Sequence, residues 1–325
     1  MDHTDRKLLN LLQTDFPIVS APFAALAERL PVSKDEAIRR TKALRERGII
    51  REISAVFDSA MLGYRSLLAA FSVPKDRVEQ VAEIVSAHPG VSHNYERRHA
   101  YNLWFTITVP PETTPEAEVE HLAAQARPRA VRMFPVVRLF KIGVAFDMTG
   151  EGATGAAVRG PTAAGSQPTR LDEGDIRAVR ALQRDLPADP QPFAALASQA
   201  GMTQDELLSK ARTFLETGAM RRYGAALRHR EAGFLANAMS VWQVAEDAVE
   251  RVGLTMAAHP AVSHCYERPT YPDWPYCIFA MIHGRKPEDC ERAARELSQA
   301  TGITDYLLLY STREFKKTRV KYFEQ

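Results

Sequence analysis

Six side chains that can transfer protons or bind anions lie in one short segment of the sequence. They are His93, Tyr95, Arg97, Arg98, His99 and Tyr101. The segment reads HPGVSHNYERRHAYNLWFTITVP at 88–110, and much of it recurs as HPAVSHCYERPTYPDWPYCIFAMI at 259–282. A chain that contains such a segment twice is predicted to contain one architecture twice.

These residue types suit the handling of carboxylates and protons. Arginine stays charged, and its planar guanidinium can bind a carboxylate through two hydrogen bonds. An unperturbed histidine titrates near pH ~6.5, so it can exchange a proton at neutral pH. Strand periodicity predicts that His93, Tyr95 and Arg97 share one face, and that His99 and Tyr101 lie in a loop.

The histidines have alternative readings. His93 recurs as His264, so a packed core histidine fits this pair as well as a catalytic one does. His99 has no counterpart, because ERRHAYN becomes ERPTYPDWP, so packing shared by the repeats does not explain it. His88 and His259 precede prolines at a predicted helix end, where an imidazolium complements the helix dipole, and we interpret both as structural.

The start of each copy has the pattern of a helix-turn-helix. Apolar spacing predicts helices at 5–13, 22–30 and 33–48, followed by a strand or wing at 49–58. Ser33 and Glu36 have the spacing of a capping box. Three short helices with tight connections are typical of a helix-turn-helix unit.

The next segment has the element order of a ferredoxin-like domain, βαββαβ. The predicted elements are a strand at 67–74, a helix at 77–88, strands at 91–97 and 104–110, a helix at 115–126 and a strand at 131–142.

The second half repeats the first. PFAALA begins at Pro22 and again at Pro192, and the same separation of 170 residues relates Gly63 to Gly233. Residues 149–170 are rich in Gly, Ala, Thr and Pro, which predicts a linker. The α+β chain is therefore predicted to contain winged helix-turn-helix domains at 1–62 and 171–232 and ferredoxin-like domains at 63–148 and 233–325. We expect the halves to pack through their sheets as an intramolecular pseudo-dimer, which further oligomerisation could enlarge.

Composition indicates an ordinary globular protein. Hydrophobic residues make up 45% and charged residues 25%, and a net charge of +2 does not by itself point to nucleic acid. Cys265, Cys277 and Cys290 are odd in number and form no CxxC, so reduced thiols in a cytoplasmic protein are expected. The N-terminus is polar and no apolar run approaches about 18 residues, so neither a signal peptide nor a membrane span is predicted.

Two resemblances follow from these segments. A helix-turn-helix followed by βαββαβ resembles the Lrp/AsnC family, whose members dimerise through the sheet domain and bind small effectors there. GIIREISAVFD at 48–58, HNYERRHAYNLWFTI at 93–107 and PVVRLFKIGV at 135–144 are similar to the sirohaem decarboxylases of haem d1 biosynthesis and of the alternative haem route. The resemblance covers the chain except the linker, and it implies a fused form of two related subunits.

The second resemblance implies a reaction. Carbon dioxide would be lost from the acetate side chains on C12 and C18 of sirohaem, and each acetate would become a methyl group in didecarboxysirohaem. No external cofactor is implied, because the protonated macrocycle can accept the electrons of the breaking bond. The iron would enter with the substrate; His99 or His93 could ligate it axially, and no metal site in the protein itself is expected. Other haem d1 biosynthesis proteins are possible partners.

The residue chemistry and the resemblance together nominate site residues. Catalytic roles are predicted for His99, Tyr101 and His93. Substrate-binding roles are predicted for Arg51, Tyr95, Arg97, Arg98, Asn102, Trp104, Arg138, Lys141, His264, Arg268 and Arg313. Surface ion pairs are the alternative for the cations, and core packing is the alternative for the tryptophan.

The two halves are expected to differ in function. Only the first half contains His99, Asn102 and Arg98, and Pro269 stands where Arg98 would recur. Proline fixes φ and removes a backbone donor, so the second loop should have a different shape. The first half is therefore predicted to carry the chemistry, with a larger effect of substitution at His99 than at His264.

A DNA-binding regulator and a haem carrier are the competing functions. Residues 33–47 contain six basic and three acidic side chains, whereas residues 203–217 contain two basic and three acidic ones. Operator binding by a dimeric helix-turn-helix protein depends on two recognition helices that neutralise phosphates. One acidic recognition helix would weaken it, so DNA binding is not expected. The sequence alone does not exclude a haem carrier that lacks catalytic activity.

Overall fold

The computed structural model describes residues 1–142, 168–227 and 236–324. The predicted linker, 149–170, lies outside the described residues except for its last three positions. Across the described ranges, no helix combines the length and apolarity that a membrane span requires. The three cysteines are buried free thiols.

The two halves have the same order of elements. The first contains α1 (His3–Thr14), α2 (Pro22–Ala27), α3 (Lys34–Glu46), β1 (Ile50–Phe57), β2 (Arg65–Ser72), α4 (Val78–Ala87), β3 (Val91–Arg97), β4 (Leu103–Val109), α5 (Pro115–Ala126), β5 (Ala130–Phe134) and β6 (Arg138–Ile142). The second contains α6 (Glu173–Leu182), α7 (Pro192–Gln199), α8 (Gln204–Thr217), β7 (Met220–Leu227), β8 (Ala236–Trp242), α9 (Val249–Ala258), β9 (Val262–Glu267), β10 (Ile278–Gly284), α10 (Pro287–Thr301) and β11 (Tyr306–Lys317).

Local signals fix the ends of the third helix in each half. The Ser33 hydroxyl accepts from the Glu36 amide at 3.2 Å, while the Glu36 carboxylate pairs with Arg40 instead of closing the capping box. Gly48 and Gly218 follow α3 and α8 with φ of 72° and 82°, a left-handed conformation that glycine adopts without steric cost.

The helix-turn-helix units share one core. The wing strands do not pair within their own halves; β1 pairs antiparallel with β7, which joins the two units. Aromatic rings from both halves meet beneath this ribbon, with Phe16 6.5 Å from Phe193 and 5.6 Å from Tyr223. Buried apolar side chains from the helices of both units form one continuous cluster.

The predicted strand at 131–142 is wrong in one respect, because the structure divides it in two. Strand β5 pairs with β2 of its own half, whereas β6 pairs with β9 of the other half. The division falls at Pro135, which lacks the amide that a continuous ladder needs. Strand β11 crosses in the same way without a break: 306–310 pair with β8, and 311–317 pair with β3.

The two crossing segments merge the ferredoxin-like domains into one sheet. Its strand order is β5-β2-β4-β3-β11-β8-β10-β9-β6, and its two ends, β5 and β6, are consecutive in the chain. The sheet therefore curves around an inner core to which both halves contribute, including Trp104, Phe134, Trp274 and Phe279. Helices cover its outer face. The predicted pseudo-dimer is confirmed.

Candidate active site

The repeated HPxVSHxYER segments place the same side chains on the inner face of the nine-stranded sheet. Asn94 points outward, since its amide donates to the Ala82 carbonyl of α4 at 3.1 Å. Neighbouring residues on a strand point to opposite faces, so His93, Tyr95 and Arg97 face the interior. The equivalent residues of the second half are His264, Tyr266 and Arg268.

Each inner histidine has a serine partner. Ser92 Oγ lies 2.9 Å from His93 Nδ1, and Ser263 Oγ lies 2.8 Å from His264 Nδ1. Burial lowers the pKa of His93 to about 4 and that of His264 to about 3. Both imidazoles are therefore neutral at pH ~7, and a neighbouring anion would raise their affinity for a proton.

Cations surround the two histidines. After burial, repulsion from Lys317 and Arg51 lowers the pKa of His93 further. The pKa of His264 is lowered in the same way by His283, Arg221, His93 and Lys141. The resulting positive potential favours an anionic ligand.

We predict acid sensitivity from these histidines. His93, His264 and His283 have folded-state pKa values of about 4, 3 and 4, below the usual value of about 6.5. Between pH ~6.5 and these folded-state values the unfolded chain binds more protons. As the pH falls through this range, the free energy of unfolding therefore decreases by up to about 1.4 kcal/mol per pH unit for each such group. Thermal unfolding at pH ~7 and ~5 should show this loss.

Part of the pH dependence of unfolding should come from the buried imidazole of His93. His93→Gln removes one titrating group and should flatten the dependence of unfolding on pH. His121→Gln, at an exposed position on α5, serves as the control and should leave it steep. Equal slopes for the two variants would contradict the assignment.

The inner arginines are buried cations. Arg97 and Arg268 are 5% and 8% exposed, and their Nη1 atoms donate to the carbonyls of Leu309 and Phe134. Within the described residues neither has a carboxylate partner, and each Nε lacks a hydrogen bond. Burial lowers the pKa of both to about 10, so they remain charged at pH ~7. Burial of a cation without a counterion destabilises the fold, so we expect each arginine to bind a carboxylate of the incoming ligand.

The loop that contains His99 forms a contact between the halves. The Tyr101 hydroxyl donates to Asp273 at 2.6 Å, and Arg132 pairs with the same carboxylate at 2.8 Å. The His99 ring packs edge-on against Trp274 at 5.1 Å, and its Nδ1 accepts from the Tyr101 amide at 3.0 Å. Burial lowers the pKa of His99, whereas burial and Asp273 raise that of Tyr101 to about 12. Their catalytic roles stay predictions.

Asn102 and Trp104 have structural partners. The Asn102 amide bonds to both backbone groups of Val73, at 2.8 and 2.9 Å, which attaches the loop to the end of β2. Trp104 is 1% exposed, stacks on Phe134 at 5.4 Å and donates its Nε1–H to the Tyr101 carbonyl at 2.7 Å. These contacts fix the loop at the end of β2 and hold Trp104 within the inner core.

Three of the nominated cations join the halves. Arg138 and Arg313 lie on the crossing strands, and each pairs with glutamates of the opposite half. The partners are Glu250 and Glu267 for Arg138, and Glu79 and Glu96 for Arg313. Lys141 donates to the His259 carbonyl at the end of α9 at 3.2 Å. Of these three side chains, Lys141 also acts on His264, whereas Arg138 and Arg313 are engaged in these ion pairs.

The remaining two cations lie at the edges of the site. Arg51 pairs with Glu52 at 2.9 Å, and its charge also acts on His93. Arg98 is exposed on the loop after β3.

Sequence reasoning missed several neighbours of the histidines. They are Ser92, Ser263, Arg221, His283 and Lys317. The first three were detectable, because the Ser-His pair recurs in both copies and Arg221 follows Arg51 at the repeat distance of 170. His283 and Lys317 break the repeat, so only the strand pairing reveals them. In the described part of the chain, no three His, Cys, Asp or Glu side chains form a metal site; the arrangement suits a large anion.

Comparison with known proteins decides the family. A model described as "AsnC-like ligand binding domain" matches residues 61–141 and 231–316. A second model, "Siroheme decarboxylase NirDL-like HTH domain", matches 5–51 and 175–221. A protein of Hydrogenobacter thermophilus named "Siroheme decarboxylase" is 42% identical over 98% of this chain and 95% of its own. This chain belongs to the sirohaem decarboxylase family.

Solved structures agree with the assignment to the sirohaem decarboxylases. The crystal structure of the siroheme decarboxylase NirDL superimposes with a TM-score of 0.76 at 39% identity, over 99% of this chain and 95% of that one. A beta subunit from Methanosarcina barkeri is 45% identical over 46% of this chain and 99% of its own. The predicted fusion of two related subunits is thereby confirmed.

Proposed function

We propose that this sirohaem decarboxylase removes carbon dioxide from the acetates on C12 and C18 of sirohaem, yielding didecarboxysirohaem. The observation that carries the proposal is the duplicated set of histidine, tyrosine and buried arginine on the inner sheet face. A related NirDL, 38% identical with a TM-score of 0.75, was crystallised in complex with an iron-uroporphyrin III analogue. A tetrapyrrole rich in carboxylates therefore suits this cation-rich interior.

The arginines bind and orient the substrate in this proposal. Arg97 and Arg268 offer buried guanidinium groups with a free Nε–H, to which a substrate carboxylate can bind in place of a protein counterion. Water is displaced as the macrocycle enters, and the attraction between the charges grows stronger in the drier site. Lys317 adds positive potential at the histidine end, whereas Glu52 and Asp58 pair with Arg51 and Arg221 and offset part of their charge.

The histidines supply the protons. The bond between the acetate methylene and its carboxylate breaks, carbon dioxide leaves, and the macrocycle accepts the electron pair. His93 or His264 then protonates the methylene carbon, so each lost carbon dioxide is replaced by one proton. Burial keeps both rings neutral at pH ~7, and each neutral imidazole carries one N–H proton that it can give to the carbon.

Two equivalent sets of residues suit two equivalent reactions. We propose that each half serves one acetate, because the Ser-His pair, the tyrosine and the buried arginine are present in both. This differs from the sequence-based expectation that the first half alone carries the chemistry. Within the proposal, His99 and Tyr101 hold the two loops together at the aromatic end of the interior.

The reaction needs no cofactor beyond the substrate in this proposal, and it proceeds in the cytoplasm, where other haem d1 biosynthesis proteins could deliver sirohaem. The purified chain, treated with a chelator and then incubated anaerobically with sirohaem, should release two equivalents of carbon dioxide. Mass spectrometry should detect a singly decarboxylated intermediate before the final product. Sirohaem that binds but stays intact would favour a carrier.

The regulator alternative conflicts with the ion pairs of the helix-turn-helix. Arg40 of α3 pairs with Asp5 at 2.7 Å, and Arg45 pairs with Asp185 of the second half at 2.9 Å. These basic groups are engaged within the protein. We therefore predict no sequence-specific DNA binding: gel shifts at ~0.1 M salt should show no nanomolar complex, whereas a salt-sensitive, sequence-selective complex would overturn the prediction.

A further inference from the structure

A hydrogen-bonded chain links two histidines in the second half. Ser263 Oγ lies 2.8 Å from His264 Nδ1 and 2.7 Å from His283 Nε2. The Met281 carbonyl, at 3.4 Å, is a weaker acceptor. A hydroxyl has one hydrogen, so it donates to one imidazole and accepts from the other. The protonation sites of His264 and His283 are therefore coupled through Ser263.

The first half lacks this chain. Thr108 and His283 are each the sixth residue of their strands, β4 and β10. The Thr108 hydroxyl lies 2.7 Å from Ser66 Oγ. Position 108 therefore offers no imidazole to the Ser92–His93 pair.

His283 also lines a surface pocket. The pocket has a volume of about 400 Å³ and lies beside α10, with Arg285, Arg292 and Glu296 among its lining residues. Water and small buffer molecules can enter a pocket of this size and polarity. The His283 side chain thus lies between the pocket and the ring of His264, with its Nε2 on Ser263 and its Nδ1 buried beneath the pocket lining.

We propose that His283 and Ser263 relay protons from this pocket to His264. The relay rests on the proposed role of His264 as the proton donor. When His264 gives its Nε2 proton to the methylene carbon, the Ser263 hydroxyl passes its hydrogen to His264 Nδ1 and takes the hydrogen on His283 Nε2. His283 then takes a proton at Nδ1 from a water molecule that enters from the pocket, because this nitrogen is buried when the pocket is at rest. One solvent proton is consumed for each carbon dioxide lost, and His264 is left neutral.

The electrostatic surroundings favour neutral rings in the relay. Burial, followed by repulsion from Lys317, lowers the pKa of His283 to about 4. Arg221, Lys141 and His93 add to the repulsion felt by His264. Each ring therefore has one nitrogen that carries a hydrogen and one that does not at pH ~7, as the transfer requires.

The test compares His283→Ala with Thr108→Ala, the matched change in the first half. In single-turnover decarboxylation of sirohaem, His283→Ala should be about tenfold slower or more, and added imidazole should restore the rate. Thr108→Ala should show no imidazole dependence. In a His264→Ala background, the change at His283 should cause no additional loss. Circular dichroism confirms that each variant is folded.

A second measurement requires no substrate. Long-range ¹⁵N–¹H spectra of histidine-labelled protein report which nitrogen of His264 carries the proton. His283→Ala should change the signature of His264, and Thr108→Ala should not. An unchanged signature, an unchanged rate or failure of imidazole to restore the rate would overturn the relay. A wild-type chain that leaves sirohaem intact would refute the proposed function instead.

Discussion

Replacing His93 or His264 with alanine is expected to slow decarboxylation of sirohaem by about 10²- to 10⁴-fold, the usual cost of losing a positioned proton donor. The two rings occupy equivalent positions, each with a serine partner, so effects of similar size are expected. Each variant should stall at a singly decarboxylated product, because the other half remains intact. Single-turnover kinetics with mass detection measures both quantities.

The His99→Ala variant distinguishes catalysis by His93 and His264 from the sequence-based prediction of catalysis by His99. The His99 ring contacts Trp274 and its own loop, so its loss should loosen the contact between halves more than it slows chemistry. Circular dichroism establishes whether each variant is folded. A folded His99→Ala that is inactive, beside active His93→Ala and His264→Ala, would assign the chemistry to the first-half loop.

Replacing Arg97 or Arg268 with methionine is expected to weaken sirohaem binding about 10- to 100-fold, the value of a hydrogen bond to a charged group. Methionine retains much of the apolar volume. Loss of the bond to the Leu309 or Phe134 carbonyl is offset by removal of a buried charge that has no carboxylate partner in the described residues. Absorbance titration measures affinity, and thermal unfolding measures stability.

The control for charge alone is Arg295→Met, at an exposed position on α10. It removes the same charge from the surface and should leave the affinity unchanged. If the Arg97 and Arg268 variants unfold easily yet bind sirohaem normally when folded, the buried arginines only hold the crossing strands in place.

Much of the fold was predictable because its signals are local. The strand at 91–97 and the helix at 115–126 were predicted with the bounds observed for β3 and α5. The division of 131–142 was not predicted, because it depends on a partner strand in the other half. Periodicity reports which residues face a core but does not report which strand lies beside them.

The site was predictable to the extent that it lies on regular strands. Alternation along β3 placed His93, Tyr95 and Arg97 on one face, as observed. Outside the strands, residue type could not distinguish a ligand-binding cation from a structural one. Arg97 and Arg138 both have counterparts in the second half, so the sequence does not distinguish them. The fold shows that Arg138 forms ion pairs with glutamates of the second half.

The most direct test of the central claim is anaerobic incubation of the purified chain with sirohaem in D₂O, followed by mass spectrometry of the tetrapyrrole. The account predicts didecarboxysirohaem with one deuterium in each of its two new methyl groups, because imidazole protons exchange with solvent before they reach carbon. Recovery of sirohaem with both acetates intact would contradict it.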